Sequence, residues 1–178
     1  MSPHLAGVLS RLETSGNPDA LAEALTFAIN HGALTELDFV RETGISFNPR
    51  PARIGLILLN EAGVRRLDPL AAAALACVHR DEQSAALSNF PTEIWALALS
   101  STAPPEELSG EAQLIALSAL LDRARHLHLA PVNLRSELWP LVFTQVKSAL
   151  PIAAQNSPHL GILLRTWAER FERRLSSK

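Results

Sequence analysis

At 178 residues the chain fits one domain large enough to bury a real core. Hydrophobic residues at 47% and charged ones at 19% exclude a disordered composition. A formal charge of −2 argues against a dedicated DNA- or RNA-binding surface.

Cys77 is the one cysteine, which excludes an internal disulfide framework and fits a reducing cytoplasm. No Lys or Arg precedes Arg11 and no long apolar stretch follows, so a secretory signal is not expected. The longest strongly apolar run, 69–78, has ten residues and is too short to span a bilayer. These features describe a soluble cytoplasmic domain that does not engage a membrane.

Tyr is absent, β-branched residues are sparse, and Ala and Leu dominate, so helix propensity is high almost throughout. Three start signals place a capping residue before a proline: Asn17-Pro18, Asp68-Pro69 and Ser157-Pro158. No fixed-period repeat and no sustained strand-like alternation is present. In chain order, a short helix is expected over 3–13. A second runs from Pro18 to about Asn30, with Leu21, Ala24, Leu25, Ala28 and Ile29 on one face and Gly32 past its end. The stretch 34–40 is ambiguous between helix and loop, and 43–50 reads as loop.

Pro51 opens a helix that is apolar nearly all round (Ile54, Leu56, Ile57, Leu58, Leu59), which means burial, and Gly63 stops it. Asp68 is expected to cap the helix 69–79, the most apolar of the chain, and 83–87 continues it or forms a turn. A helix over 93–100 carries Trp95, and 102–110, with its Pro-Pro pair, is a loop. The long helix 111–129 turns Leu114, Leu117, Leu121 and Ala124 inward. A helix over 133–150 is expected to be interrupted, or to start late, at Pro140. The last, 158–175, becomes basic at its end, where the helix dipole favours cations.

With these segments in place, the chain resembles the HD hydrolase domain of the RelA/SpoT family, which removes pyrophosphate from the alarmone (p)ppGpp. Ala24-Leu25-Thr26-Phe27-Ala28 followed by His31-Gly32 is similar to the family's opening helix and its His-containing end. The stretch from Arg41 to Pro51, RETGISFNPRP, aligns without a gap on R-K-S-G-E-P-Y-I-x-H-P. Ile54 to Leu58 follows V-A-x-I-L, and Ala73 to Glu82 falls on A-A-L-L-H-D-V-V-E-D. Phe90 to Ala98 resembles F-G-x-E-V-A-x-L-V, Leu120-Leu121-Asp122-Arg123 resembles L-A-D-R, and Leu150 to Ile162 is similar to Y-A-P-L-A…R-L-G-I with a few extra residues. The resemblance implies an all-α, single HD-like helical domain.

It also implies a site. Family members hold one divalent cation, typically manganese, with a His, a His-Asp doublet and a distant Asp, and the ion polarises a phosphoryl oxygen and acidifies a bound water. Here the first His is Arg50, the doublet is Cys77 and Val78, and the distant Asp alone is kept, as Asp122. Val has no ligand atom, and a guanidinium repels the cation by roughly 4 kcal/mol at 4 Å and an effective dielectric of 20. No family-type metal site and no cofactor are therefore expected. Asp81 and Glu82 keep, in swapped order, the acidic pair that the family places near the attacking water. Arg41 matches an arginine of the nucleotide-contacting loop, but Glu42 follows it in place of Lys.

The leading reading is a catalytically inactive HD-family relative acting as a binding or regulatory module. Its candidate ligand-binding residues are Arg41, Arg50, Asp122 and His126, and Asp81 and Glu82 are vestigial catalytic residues. One alternative is a nucleotide phosphohydrolase with an altered manganese site, rebuilt from His79, Asp81, Asp122 and His126 or His128. His79 lies two residues past the expected ligand, about 200° round a helix, and so points away from the old site. Another alternative is an oligomeric helical interaction protein. A nucleotide ligand and a homo-oligomer both stay open. Cys77, inside an apolar helix without an arranged base, reads as a small hydrophobe more than a nucleophile. Trp95, Trp139 and Trp167 read as core or interface anchors before stacking platforms. An Arg50–Asp122 ion pair is the simplest replacement for the missing ion, because it supplies both the charge and several directed donors.

Overall fold

The computed structural model describes residues 18–31, 50–78 and 90–176. These form seven α-helices, and no strand occurs among them: α1 Pro18–His31, α2 Arg50–Asn60, α3 Leu67–Leu75, α4 Thr92–Ser100, α5 Gly110–His126, α6 Val132–Asn156 and α7 Pro158–Ser176. Two short 3₁₀ turns, Pro105–Glu107 and Leu127–Leu129, flank α5. The all-α class expected from propensity is what the chain adopts. No helix among the described residues is long and apolar enough to cross a membrane.

The core has two lobes. Leu21, Ala24 and Ala28 of α1 pack with the alanine-rich α3, with Ile54 and Leu58 of α2, and with Ile94, Trp95 and Ala98 of α4. The alanines let α1 and α3 approach closely, since little side chain separates their backbones. In the second lobe, α6 contributes Leu138, Val142, Val146, Ala149 and Ala153, and α7 contributes Leu160, Leu164 and Ala168; both are stripes at three- and four-residue spacing. Helices α2 and α5 belong to both lobes. Ile54 and Leu58 face the first and Ile57 the second, while Ile115 faces the first and Leu117, Leu121 and Ala124 the second.

Several boundaries differ from expectation. Helix α3 begins at Leu67, so Asp68 lies in its first turn and not at its cap, where Arg66 makes no side-chain capping bond. The helix also ends at Leu75, and Cys77 and Val78 follow in turns. Helix α6 is not broken at Pro140. It runs unbroken from Val132 to Asn156 through both Pro140 and Pro151. The two prolines are eleven residues apart, three turns, and both are exposed. The carbonyls they leave without N–H donors belong to the exposed Ser136 and Lys147, where water can serve them. The expected helix over 3–13, the stretch 34–40, the loop 43–49 and the stretch 83–87 lie outside the described residues.

A glycine ends α2, and another lets α7 approach α6. Gly63 has φ 73°, and beyond it the Val64 N–H returns to the Leu58 carbonyl at 3.0 Å. Gly161 faces α6 so closely that a Cβ there would lie 2.9 Å from the Ala154 nitrogen. That contact is what lets the α6–α7 pair close.

Candidate functional site

Asp122 lies on α5 with its side chain fully buried. A carboxylate in that position must be compensated, and two groups do so. Arg53, on the first turns of α2, forks onto it with Nε at 2.7 Å from Oδ1 and Nη2 at 3.1 Å from Oδ2. His126, one turn on along α5, places Nδ1 3.2 Å from Oδ1 and 2.8 Å from the Asp122 backbone oxygen. Both contacts are acceptors, so Nδ1–H is the donor. Burial pushes the Asp122 carboxyl up, but the bonds from His126 and Arg53 outweigh it, and the net direction is below 3.8. The same bond raises His126 above 6.5.

The guanidinium on Asp122 is therefore that of Arg53 and not, as expected from the sequence, that of Arg50. Both arginines occupy the start of α2 three residues apart, one turn, and Arg53 is the one whose side chain reaches the carboxylate. Arg50 instead lines a cavity of about 460 Å³ that Cys77 also lines. Aliphatic residues make up much of its wall: Ile54 of α2, Ala73 and Ala76 of and beside α3, and Ile115, Ala116, Ala119 and Leu120 of α5. Its polar rim includes Arg50, Thr102, Glu106, Arg123 and Gln145. The loop closing one side is fixed by Gln113, whose Nε2 donates to the carbonyls of Pro105 at 2.9 Å and Leu108 at 2.6 Å. Asn156 donates to its Oε1 at 2.7 Å.

Cys77 is buried, and burial pushes its thiol up to about 11, against the lowering influence of Arg50 and Arg53 and the raising influence of Asp122. It carries no thiolate at neutral pH, in keeping with a small hydrophobe, and it donates to the Ala73 carbonyl. The structure thus gathers Arg50, Cys77 and Asp122 into one neighbourhood and adds Arg53, which sequence reading missed. The i,i+3 spacing from Arg50 was the signal that could have found it. A second missed pair stands alongside: Arg125 of α5 forks onto Glu61, with Nη1 at 2.6 Å and Nη2 at 2.8 Å from its two oxygens. Arg41, Asp81, Glu82 and His79 lie outside the described residues. His128, the other candidate of the rebuilt site, donates Nδ1–H to the Arg125 carbonyl at 2.8 Å and faces a different cavity.

A divalent ion does not fit these residues. The Asp122 carboxylate already carries a guanidinium and an imidazole, Cys77 is turned to the Ala73 carbonyl, and Val78 offers no donor. Of the tryptophans, Trp95 is buried in the first lobe, while Trp139 and Trp167 are half-buried beside Phe171. Comparison of the chain with protein families, with curated proteins and with solved structures gave no match.

Proposed function

We propose that this chain is a catalytically inactive relative of the HD hydrolases that works as a binding or regulatory module for a small anionic ligand of the nucleotide class. The observation that carries this reading is the Arg53 fork on Asp122. The one carboxylate that matches the family's ligand set is neutralised by the protein's own cation, which removes the need for a metal and the means of holding one. Arg50 and Cys77, two of the positions aligned on the family's ligand set, line one cavity. The cavity beside them is of ligand size, apolar in its walls, and carries guanidinium groups at its rim, the chemistry that holds a phosphorylated or carboxylated molecule.

Two measurements test this. Purified protein with manganese should release pyrophosphate from (p)ppGpp no faster than a no-protein control, and elemental analysis should find no stoichiometric manganese or zinc. Turnover that Asp122→Ala abolishes, accompanied by bound metal, would establish the phosphohydrolase reading instead. Calorimetric titration with guanosine nucleotides should show binding that Arg123→Gln weakens. Absence of binding to any nucleotide would remove the ligand class.

A further inference from the structure

A second cavity, of about 340 Å³, opens at the other lobe, where the ends of α5 and α7 meet α6. Three aromatic side chains line it: Trp139, Trp167 and Phe171. Trp167 stacks on Phe171 with ring centroids 5.5 Å apart and planes 5° apart, and Trp139 meets Phe171 edge-on at 82°. The rings are held in place. Trp139 donates its indole N–H to the Leu127 carbonyl at 3.2 Å, and Arg135 lies over it, 5.8 Å from its centroid. Beside Ala124 and Leu127 the lining holds the basic Arg125, His128, Arg170 and Arg174, and among the described residues no carboxylate lines the space. Arg125 is neutralised by Glu61, whereas Arg170 has no ion-pair partner among the described residues. Arg170 and Arg174 stand one turn apart on α7, both on the cavity lining. The helix dipole accounts for basic residues in the last turn of α7. It does not account for their meeting three ordered rings around a hollow.

From this juxtaposition we propose a second ligand site, separate from the Arg50 cavity, that takes a small aromatic anion: a flat ring system against Trp139, Trp167 and Phe171, with a carboxylate, sulfonate or phosphate on Arg170 and Arg174. The volume lies at the small end of ligand pockets and matches a compound of one or two rings. The reading does not depend on HD descent, and its test avoids the first cavity.

The probe is 8-anilinonaphthalene-1-sulfonate, titrated against the full chain at low ionic strength, with N-phenyl-1-naphthylamine as the same ring system without the charge. The sulfonate should bind one equivalent, and the double variant Arg170→Gln/Arg174→Gln should weaken it by at least about tenfold, the loss expected for charge-assisted bonds. Arg173→Gln, an exposed residue of the same helix outside the lining, should change it less than about twofold. The uncharged probe should be indifferent to all three changes. Arg123→Gln, which alters the first cavity, should leave the sulfonate affinity unchanged. Should the double variant fail to fold, Arg170→Gln alone is read, with a smaller loss in the same direction. Sulfonate binding that is absent, that survives loss of both arginines, or that falls equally with Arg173→Gln or Arg123→Gln overturns the site.

Discussion

At the scale of single residues, the energetics centre on Asp122. Its side chain is wholly buried and that of Arg53 is 20% exposed, so the pair is screened little by solvent. Removing one partner leaves a charge in a medium that cannot solvate it. Arg53→Ala is therefore expected to cost about 3 to 5 kcal/mol of unfolding free energy by urea titration. Arg66→Ala, which breaks exposed contacts to Asp68 and Glu111, should cost less than about 1 kcal/mol. Equal losses in the two variants would refute the assignment. The same cluster sets a pH window. Asp122 is depressed in the fold, so its contribution is present above its unfolded value near 3.8 and is lost as pH falls through the folded value below that. His126 is raised, so its contribution is full below 6.5 and is lost as pH rises through the folded value above it. Urea titrations across pH should place the strongest contribution of this pair between about 4 and 6.5. The decline above that range should disappear in His126→Gln.

At the scale of elements, two glycines in helices should respond in opposite senses to the same substitution. Gly55 lies inside α2 with nothing within 4 Å of an added Cβ, so Gly55→Ala should gain about 0.5 to 1 kcal/mol by restricting the unfolded chain. At Gly161 the added carbon would meet the backbone of Ala153 and Ala154, which cannot swing aside, and Gly161→Ala should lose about 1 to 3 kcal/mol. Thermal unfolding in which both changes shift Tm the same way would count against the α6–α7 packing. How far the elements can be read from sequence follows from what sets their ends. The starts at Pro18 and Pro158 were legible because proline after a capping residue is a local signal. The Asp68-Pro69 pair carries the same signal, yet α3 starts before it, at the buried Leu67, with Arg66 in the cap position. The length of α6 was not legible. Its prolines forbid the helix locally, and only the stripe from Leu138 to Ala153 buried against α5 and α7 repays that cost of roughly 3 kcal/mol each. The choice of Arg53 over Arg50 was equally hidden, since periodicity puts both on one side of α2 and only the position of α5 decides between them.

At the scale of the molecule, the helices α2 and α5 tie the two lobes among the described residues. Helices α2 and α5 pack directly, each feeds side chains to both lobes, and two forked ion pairs join them, Arg53–Asp122 between the helices and Arg125–Glu61 from α5 to the residue just past α2. Neither lobe can lose its packing without exposing one face of these helices and stripping Asp122 of its partner. The lobes should therefore unfold together. The tryptophans report on them separately, because Trp95 belongs to the first lobe, and Trp139 and Trp167 pack against the second. Fluorescence of the Trp95→Phe variant follows the second lobe, and fluorescence of the Trp139→Phe/Trp167→Phe variant follows the first. Each is expected to give a urea midpoint that coincides with that of the same variant's far-ultraviolet circular dichroism, in a single transition. Adding Arg53→Ala to either background weakens the tie and should lower both midpoints together, where a purely local role would lower one. Midpoints that separate before that change would mean that α2 and α5 do not couple the lobes, and the Arg53–Asp122 pair would then stabilise one half of the molecule alone.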